Sequence, residues 1–236
     1  MRYLFIFSIL CGYATIASAQ TTGFSTQNLG NILNASGYEL SLLEAKESTK
    51  GARFFLSKWL KGTVTAIDGT LVKNDSVLYY FDKISYNLYY TYDHKRTMKV
   101  ENKNIRSFIL QDGNINHSFK RMELIKPIVF FETLVENTTK YSLYKETATE
   151  YKKADYMNHG MYESGNRFDQ YIDNFRYYIV LPGEKAYKPI SFKKKSLEEV
   201  FDGSDAIFNP YFSKHKREPI DEDFLISLVN HLNTGS

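Results

Sequence analysis

The sequence predicts an α+β protein, mostly β: an antiparallel meander, built as an open barrel or as two packed sheets, followed by a C-terminal helical segment. Three observations predict it. Short runs rich in Tyr, Phe, Val, Ile and Thr recur from Gly51 to Phe192, punctuated by Asp, Asn and Gly. No helix-length apolar pattern separates these runs, so sequential antiparallel pairing is the economical connection. After Phe192 the apolar spacing lengthens to three and four residues, as on a helix with one buried face.

The chain divides into four stretches. Residues 1–19 read as a signal peptide: Arg2 is followed by an uncharged, mostly apolar run from Tyr3 to Ile16, then by Ala17-Ser18-Ala19, a small-x-small cleavage pattern. The mature chain is expected to begin at Gln20. Cys11, the single cysteine, follows Leu10 rather than the small residue a lipid-attachment site needs. Without Cys11 the mature chain has no disulfide, no thiolate metal ligand and no Cys nucleophile. Residues 20–50 read as an N-terminal arm: a polar stretch from Gln20 to Ser36, then a short helix from Tyr38 to Glu47 with Leu40 and Leu43 on one side.

Residues 51–192 are the antiparallel β domain. Thr63 to Ile67 leads into Asp68-Gly69, a hairpin signal for a two-residue turn with both central residues at positive φ. Thr70 to Lys73, Val77 to Ile84 and Asn87 to Tyr92 continue the series. In the last of these, Leu88, Tyr90 and Tyr92 alternate with Tyr89 and Thr91. Thr97 to Val100, Ile105 to Leu110, Phe119 to Ile125, Ile128 to Val135, Tyr141 to Tyr151 and Arg176 to Leu181 follow. Ala186 to Phe192 closes the set, and Pro189 makes it an edge or bulged strand because proline cannot donate to a ladder. Residues 193–236 are C-terminal helices expected to pack on the sheet. Ser196 with Glu199 reads as a capping box. Asn209-Pro210 reads as a cap and first-turn proline opening a helix through His215. Asp221 caps a last helix whose stripe is Phe224, Leu225, Leu228, Val229 and Leu232.

Composition narrows the function. The chain has 236 residues, 43% hydrophobic and 24% charged, which is globular and enough for one or two domains. Thirty Lys and Arg against 27 Asp and Glu leave +3, too small a surplus for a nucleic-acid binder. The mature chain has no apolar run long enough for a transmembrane span. It has neither a Gly-x-Gly-x-x-Gly nor a Gly-Lys-Ser/Thr, so no dinucleotide or phosphate loop is read and no cofactor is expected.

Asp155, His159 and Glu163 repeat every fourth residue and would line one helix face as metal ligands. Asn158, Gly160, Ser164, Gly165 and Asn166 are poor helix material, so the segment reads as a long loop between strands, with no metal site. His94, His117, His215 and His231 fall in unrelated turns and helices, and no catalytic residue is assigned. The chain is aromatic, with 19 Tyr and 17 Phe. Tyr80, Tyr90 and Tyr92 are taken as candidate binding residues for a glycan or protein, because a rigid ring with a polar tip suits such surfaces. Strand packing accounts for Tyr equally well. Lys193, Lys194 and Lys195 form the second candidate: with Lys185 and Lys188, and less Glu184, they give +4 over residues 183–197, a patch for anionic groups. Acidic residues from Glu198 onward make a solvated strand-to-helix junction the plainer reading.

The order of several motifs resembles a group of exported β-rich proteins of Gram-negative bacterial envelopes. These are Lys50-Gly51-Ala52-Arg53-Phe54-Phe55, Gly62-Thr63-Val64 with Asp68-Gly69, Ile105 to Leu110, and Tyr141-Ser142-Leu143-Tyr144-Lys145. Tyr177-Tyr178-Ile179-Val180, Phe192-Lys193-Lys194-Lys195-Ser196-Leu197 and the Asp221 to Asn233 helix complete the series. The resemblance spans about residues 50 to 233 and implies location and layout. No activity is assigned to that group, so it implies no site.

The expected function is therefore that of a non-catalytic exported envelope module binding a partner protein or glycan, in the periplasm, at the outer membrane or outside the cell. The alternative is a hydrolase acting on envelope or extracellular polymers, with carboxylates brought together from distant loops.

Overall fold

The computed structural model describes residues 36–38, 49–184, 186–201 and 205–235. The expected signal peptide, most of the N-terminal arm and Lys185 lie outside them. Fourteen strands and three helices follow in order among the described residues. A four-stranded sheet has the order β1-β6-β5-β4, from Ser36–Tyr38, Thr97–Lys99, Asn87–Thr91 and Leu78–Asp82. An eight-stranded sheet has the order β14-β13-β10-β9-β8-β7-β2-β3. Its strands are, in that order, Tyr187–Ile190, Gln170–Val180, Ser142–Lys152, Phe130–Val135, Ile115–Arg121, Ile105–Asp112, Lys61–Ala66 and Leu71–Lys73. β11 (Met157–Asn158) and β12 (Glu163–Ser164) make a small separate ribbon. Every strand pair is antiparallel.

The two larger sheets share a corner. Leu60 and Tyr79 exchange backbone hydrogen bonds of 3.0 and 2.7 Å, joining β4 to the start of β2. Gly62 stands beside that corner because a Cβ there would collide with the Ile109 carbonyl oxygen and crowd the Tyr79 ring. The arrangement is two packed sheets, not a closed barrel. Between them lies a first core: Val64, Phe108, Phe119 and Phe130 from the large sheet against Phe81, Leu88 and Val100 from the small one. Its centre is aromatic, with Phe108 and Phe119 stacked at 4.9 Å and Phe81 within 5.2 Å of both.

The other half of the large sheet has two covered faces. Leu143, Tyr177 and Ile179 face a helical layer; Tyr144, Tyr178 and Val180, one residue on, face Met122, Val129 and Phe131. The helices are α1 (Lys194–Val200), α2 (Asp205–Lys214) and α3 (Glu222–Thr234). Asp221 accepts a hydrogen bond from the Phe224 amide, as the sequence predicts, and Gly235 closes α3 in the left-handed conformation. The whole stripe Phe224, Leu225, Leu228, Val229 and Leu232 is buried against the sheet and the other helices. Pro189 sits in β14, which is an edge strand.

Several local expectations change. The Ala66-to-Thr70 connection is a three-residue loop: Gly69 donates to the Ala66 carbonyl at 3.0 Å, and Gly69 alone has positive φ, at 92°. That is a type I turn ending in a glycine bulge, for which Asp68 need not leave ordinary backbone space. Ser196 is not a helix cap; Lys193 holds that position with no side-chain bond, and the Ser196 hydroxyl accepts from the Ser191 amide. Pro210 lies inside α2 rather than at its start. The helix tolerates it at the loss of one backbone hydrogen bond to Ala206 because its apolar face is packed. Tyr38 belongs to β1 and not to a helix; residues 39–47 fall outside those described.

Candidate functional site

β10 and β13 are the longest strands, eleven residues each, paired from Ser142↔Val180 to Lys152↔Gln170. Their neighbours are shorter. β9 reaches β10 only over Leu143–Lys145, and β14 reaches β13 only over Tyr177–Val180. Beyond residues 146 and 176 the pair leaves the sheet as a two-stranded arm.

Buried charged and polar groups hold the base of this arm. Asp82, at the end of β4, accepts from Arg53 Nη2 at 2.8 Å, Arg53 Nε at 3.1 Å, the Ser85 hydroxyl at 2.7 Å and the Ile84 amide at 3.0 Å. The next residue, Lys83, is buried and donates to both oxygens of Asp173 on the arm, at 2.8 and 2.6 Å. Thr149 donates to the same carboxylate at 2.6 Å. Glu146 is buried and accepts from Lys126 at 2.7 and 2.8 Å, from the Tyr178 hydroxyl at 2.9 Å and from the Tyr86 hydroxyl at 3.3 Å. Arg176 lies 3.5 Å away. Burial alone would push the Glu146 carboxyl up. Hydrogen bonds from Lys126 and Tyr178, with the charges of Lys126 and Arg176, outweigh it and hold the group below its ordinary value. Burial first, and then Glu146, push the Tyr86 and Tyr178 hydroxyls up to about 12. Tyr86 adopts φ 55°, an uncommon conformation for a non-glycine residue, and its carbonyl is held by Asn102 Nδ2 at 2.8 Å.

Farther out, Asp169 is buried and accepts from the Tyr151 hydroxyl at 2.6 Å and the Ala154 amide at 2.8 Å. Lys50 bridges the same level, donating to the Asp169 carbonyl and accepting from the Tyr171 amide. Gly51 lets that segment lie flush, since a Cβ there would collide with the Tyr171 carbonyl oxygen.

The tip is ordered by its own bonds and apolar outward. The Asp155 amide donates to the Asn166 carbonyl at 3.1 Å, Asp155 Oδ1 accepts from the Asn166 amide at 2.6 Å, and the His159 amide donates to Tyr162 at 2.9 Å. Met161 is 99% exposed, Tyr162 65% and Met157 60%, and Tyr151, Tyr156 and Phe168 are exposed beside them. Arg167 pairs with Glu163 and lies over the Tyr156 ring at 4.9 Å.

The sequence-derived candidates are scattered by comparison. Tyr80 faces outward from the small sheet, stacked on Phe54 at 3.8 Å and 5.0 Å from Trp59. Tyr90 points the other way into the first core and is buried, so it leaves the candidate binding set. Tyr92 lies past the end of β5 with the Arg96 guanidinium 5.5 Å above its ring. The three do not form one surface, because alternation along the strands sends Tyr80 and Tyr90 to opposite sides. Lys194 and Lys195 pair with Glu198 and Glu199 one turn along α1, at 3.2 and 3.9 Å, and Lys193 caps that helix. Asp155, His159 and Glu163 are not gathered: Asp155 holds Asn166, Glu163 holds Arg167, and His159 contacts the Ser164 hydroxyl at 3.1 Å while stacking on Tyr162.

Two carboxylates do approach each other elsewhere. Lys145 Nζ lies 2.8 Å from Glu222 and 3.6 Å from Glu132, Tyr177 donates to Glu222 at 2.7 Å, and His117 meets Glu132 at 2.9 Å. The bridging ammonium occupies the space a substrate would need. Two grooves among the described residues lie elsewhere: one of about 270 Å³ beside Arg106, Lys120, Arg121 and Glu123, and one of about 390 Å³ beside Tyr211, His215 and His231. Neither is lined by two carboxylates. Among the described residues no three His, Cys, Asp or Glu side chains are grouped to hold a metal, and no helix is long and apolar enough to cross a membrane.

No family model matches the chain, and no curated protein or solved structure is similar to it. The arm escaped sequence reasoning, although a signal was present. Tyr156-Met157 and Met161-Tyr162 flank Asn158-His159-Gly160, two apolar pairs about a turn in a polar stretch.

Proposed function

We propose that this protein is an exported, non-catalytic envelope module that binds a partner protein through the arm formed by β10 and β13. One observation carries the reading: an ordered hairpin tip presents Met157, Met161 and Tyr162 to solvent on a base fixed by ion pairs of the buried Lys83 and Glu146. Exposing large apolar side chains together favours association with something that covers them. Met and Tyr suit such contacts, Met because it adapts to irregular pockets and Tyr because it is rigid and amphipathic. The buried carboxylates support a non-catalytic role, since among the described residues Asp82, Glu146 and Asp169 are each engaged by two or more donors. The hydrolase alternative finds support in the approach of Glu132 and Glu222 alone, and Lys145 fills that gap.

The test is a photo-crosslinking amino acid at position 161, with one at exposed Asp75 as control. In intact cells a discrete protein adduct is expected from position 161 and none from position 75. Equal labelling at both positions, or none at 161, removes the arm as a binding surface.

A further inference from the structure

We infer that the arm tip pairs with the same tip of a second copy of this chain, forming a dimer about a two-fold axis. This rests on the reading of the arm as a binding surface and names its occupant. The first support is area. At roughly 200 Å² for a fully exposed large side chain, the exposed fractions of Tyr151, Tyr156, Met157, Met161, Tyr162 and Phe168 amount to about 700 Å². A specific interface of ordinary size takes about 800 Å² from each partner. Even with all of it covered, one tip against another falls just below that size, consistent with a reversible dimer.

The second support is charge. Residues 151–168 carry Lys152, Lys153 and Arg167 against Asp155 and Glu163, so neither tip presents a field of one sign. The charges are also ordered along the arm. Lys152 and Lys153 are exposed at and just past the end of β10 with no ion-pair partner among the described residues, while Asp155 and Glu163, the latter also paired with Arg167, lie farther out. Two arms laid antiparallel would set the outer acids of each against the inner lysines of the other, with the Met and Tyr side chains between. A two-fold contact must be complementary to itself, and this pattern is.

The third support is order. Asp155, Asn166, His159 and Tyr162 already fix the tip backbone, so pairing costs little further ordering. β11 and β12 are two residues each, too short to add a strand from a partner, so at the tip itself the contact is between side chains. A bilayer fits less well, because Asp155, Glu163 and Arg167 lie among the apolar side chains and would enter hydrocarbon with them.

Sedimentation velocity of the purified exported protein, from about 1 to 100 µM, tests this. A monomer–dimer equilibrium is expected. Met161→Asp should weaken it by at least roughly tenfold with an unchanged thermal transition. Lys152→Glu with Lys153→Glu should weaken it as well, and adding Glu163→Lys should recover much of the loss. A wild-type monomer at the highest concentration overturns the dimer, as does a dimer indifferent to Met161→Asp. A monomer that still cross-links from position 161 to a different protein overturns the dimer and leaves the binding module standing. A monomer with no such adduct ends both readings. So does one that sediments with phosphatidylcholine–phosphatidylglycerol vesicles and loses this in Met161→Asp, since the tip then belongs to a membrane surface.

Discussion

Glu146 joins three elements that sequence places far apart. Its carboxylate takes donors from Lys126, from Tyr178 and from Tyr86 at the β4–β5 turn. A carboxyl held below its ordinary value stabilises the fold above the ordinary carboxylate range, and the contribution is lost as pH falls through the lower folded value. Urea midpoints measured stepwise from neutral to acid pH should therefore fall, and Glu146→Gln should flatten that fall. At the alkaline end the sign reverses. Tyr86 and Tyr178 ionise near 12 in the folded chain, above an ordinary tyrosine, so their contribution is present below about pH 10 and fades as pH rises toward 12. At neutral pH Glu146→Ala should cost about 1–3 kcal/mol, because the buried Tyr178 hydroxyl loses its acceptor while Lys126 still reaches water.

At the scale of elements, α3 and the arm represent opposite uses of apolar side chains. α3 buries its stripe, and Leu228 is fully covered by the sheet and the other helices. Leu228→Ala should lower stability by about 2–5 kcal/mol, read from urea unfolding followed by circular dichroism. Asp221→Ala should cost about 1 kcal/mol through the lost cap to Phe224. An α3 that were only a loose tail would show no change in either variant. The arm instead leaves its apolar groups outside. Its base needs ion pairs such as that of the buried Lys83 with Asp173 because a two-stranded ribbon has little core of its own to hold it.

At the scale of the molecule, three cores are built on one long sheet: the small sheet covers one half, and on the other half the helices cover one face while Met122, Val129 and Phe131 pack on the opposite face. The mature chain expected after cleavage at Ala19 has no cysteine, so no disulfide would hold it together. Two outcomes follow from the proposed export. Amino-terminal sequencing should read from Gln20. Its melting temperature should be the same with and without reductant. A first residue of Met1 would remove the export reading.

Local chemistry decided what the sequence could reveal. Strand runs, the Pro189 edge, the Asp221 cap and the α3 stripe were legible because each depends on neighbours within one or two turns or strands. The turn at Gly69, the position of Ser196 and Pro210 within their helices, and the separation of Tyr80 from Tyr90 were not. Each depends on register, on where a helix begins in space or on which sheet covers a face. The arm lies furthest from sequence. Tyr156, Met157, Met161 and Tyr162 fall in the stretch that reads as a long loop between strands. Only the early end of β9 and β14, and the joining of Lys83 to Asp173 across 90 residues, turn them outward on a fixed support. Tertiary structure decides this because exposure follows from which strands stop where, and that is a property of all the strands together.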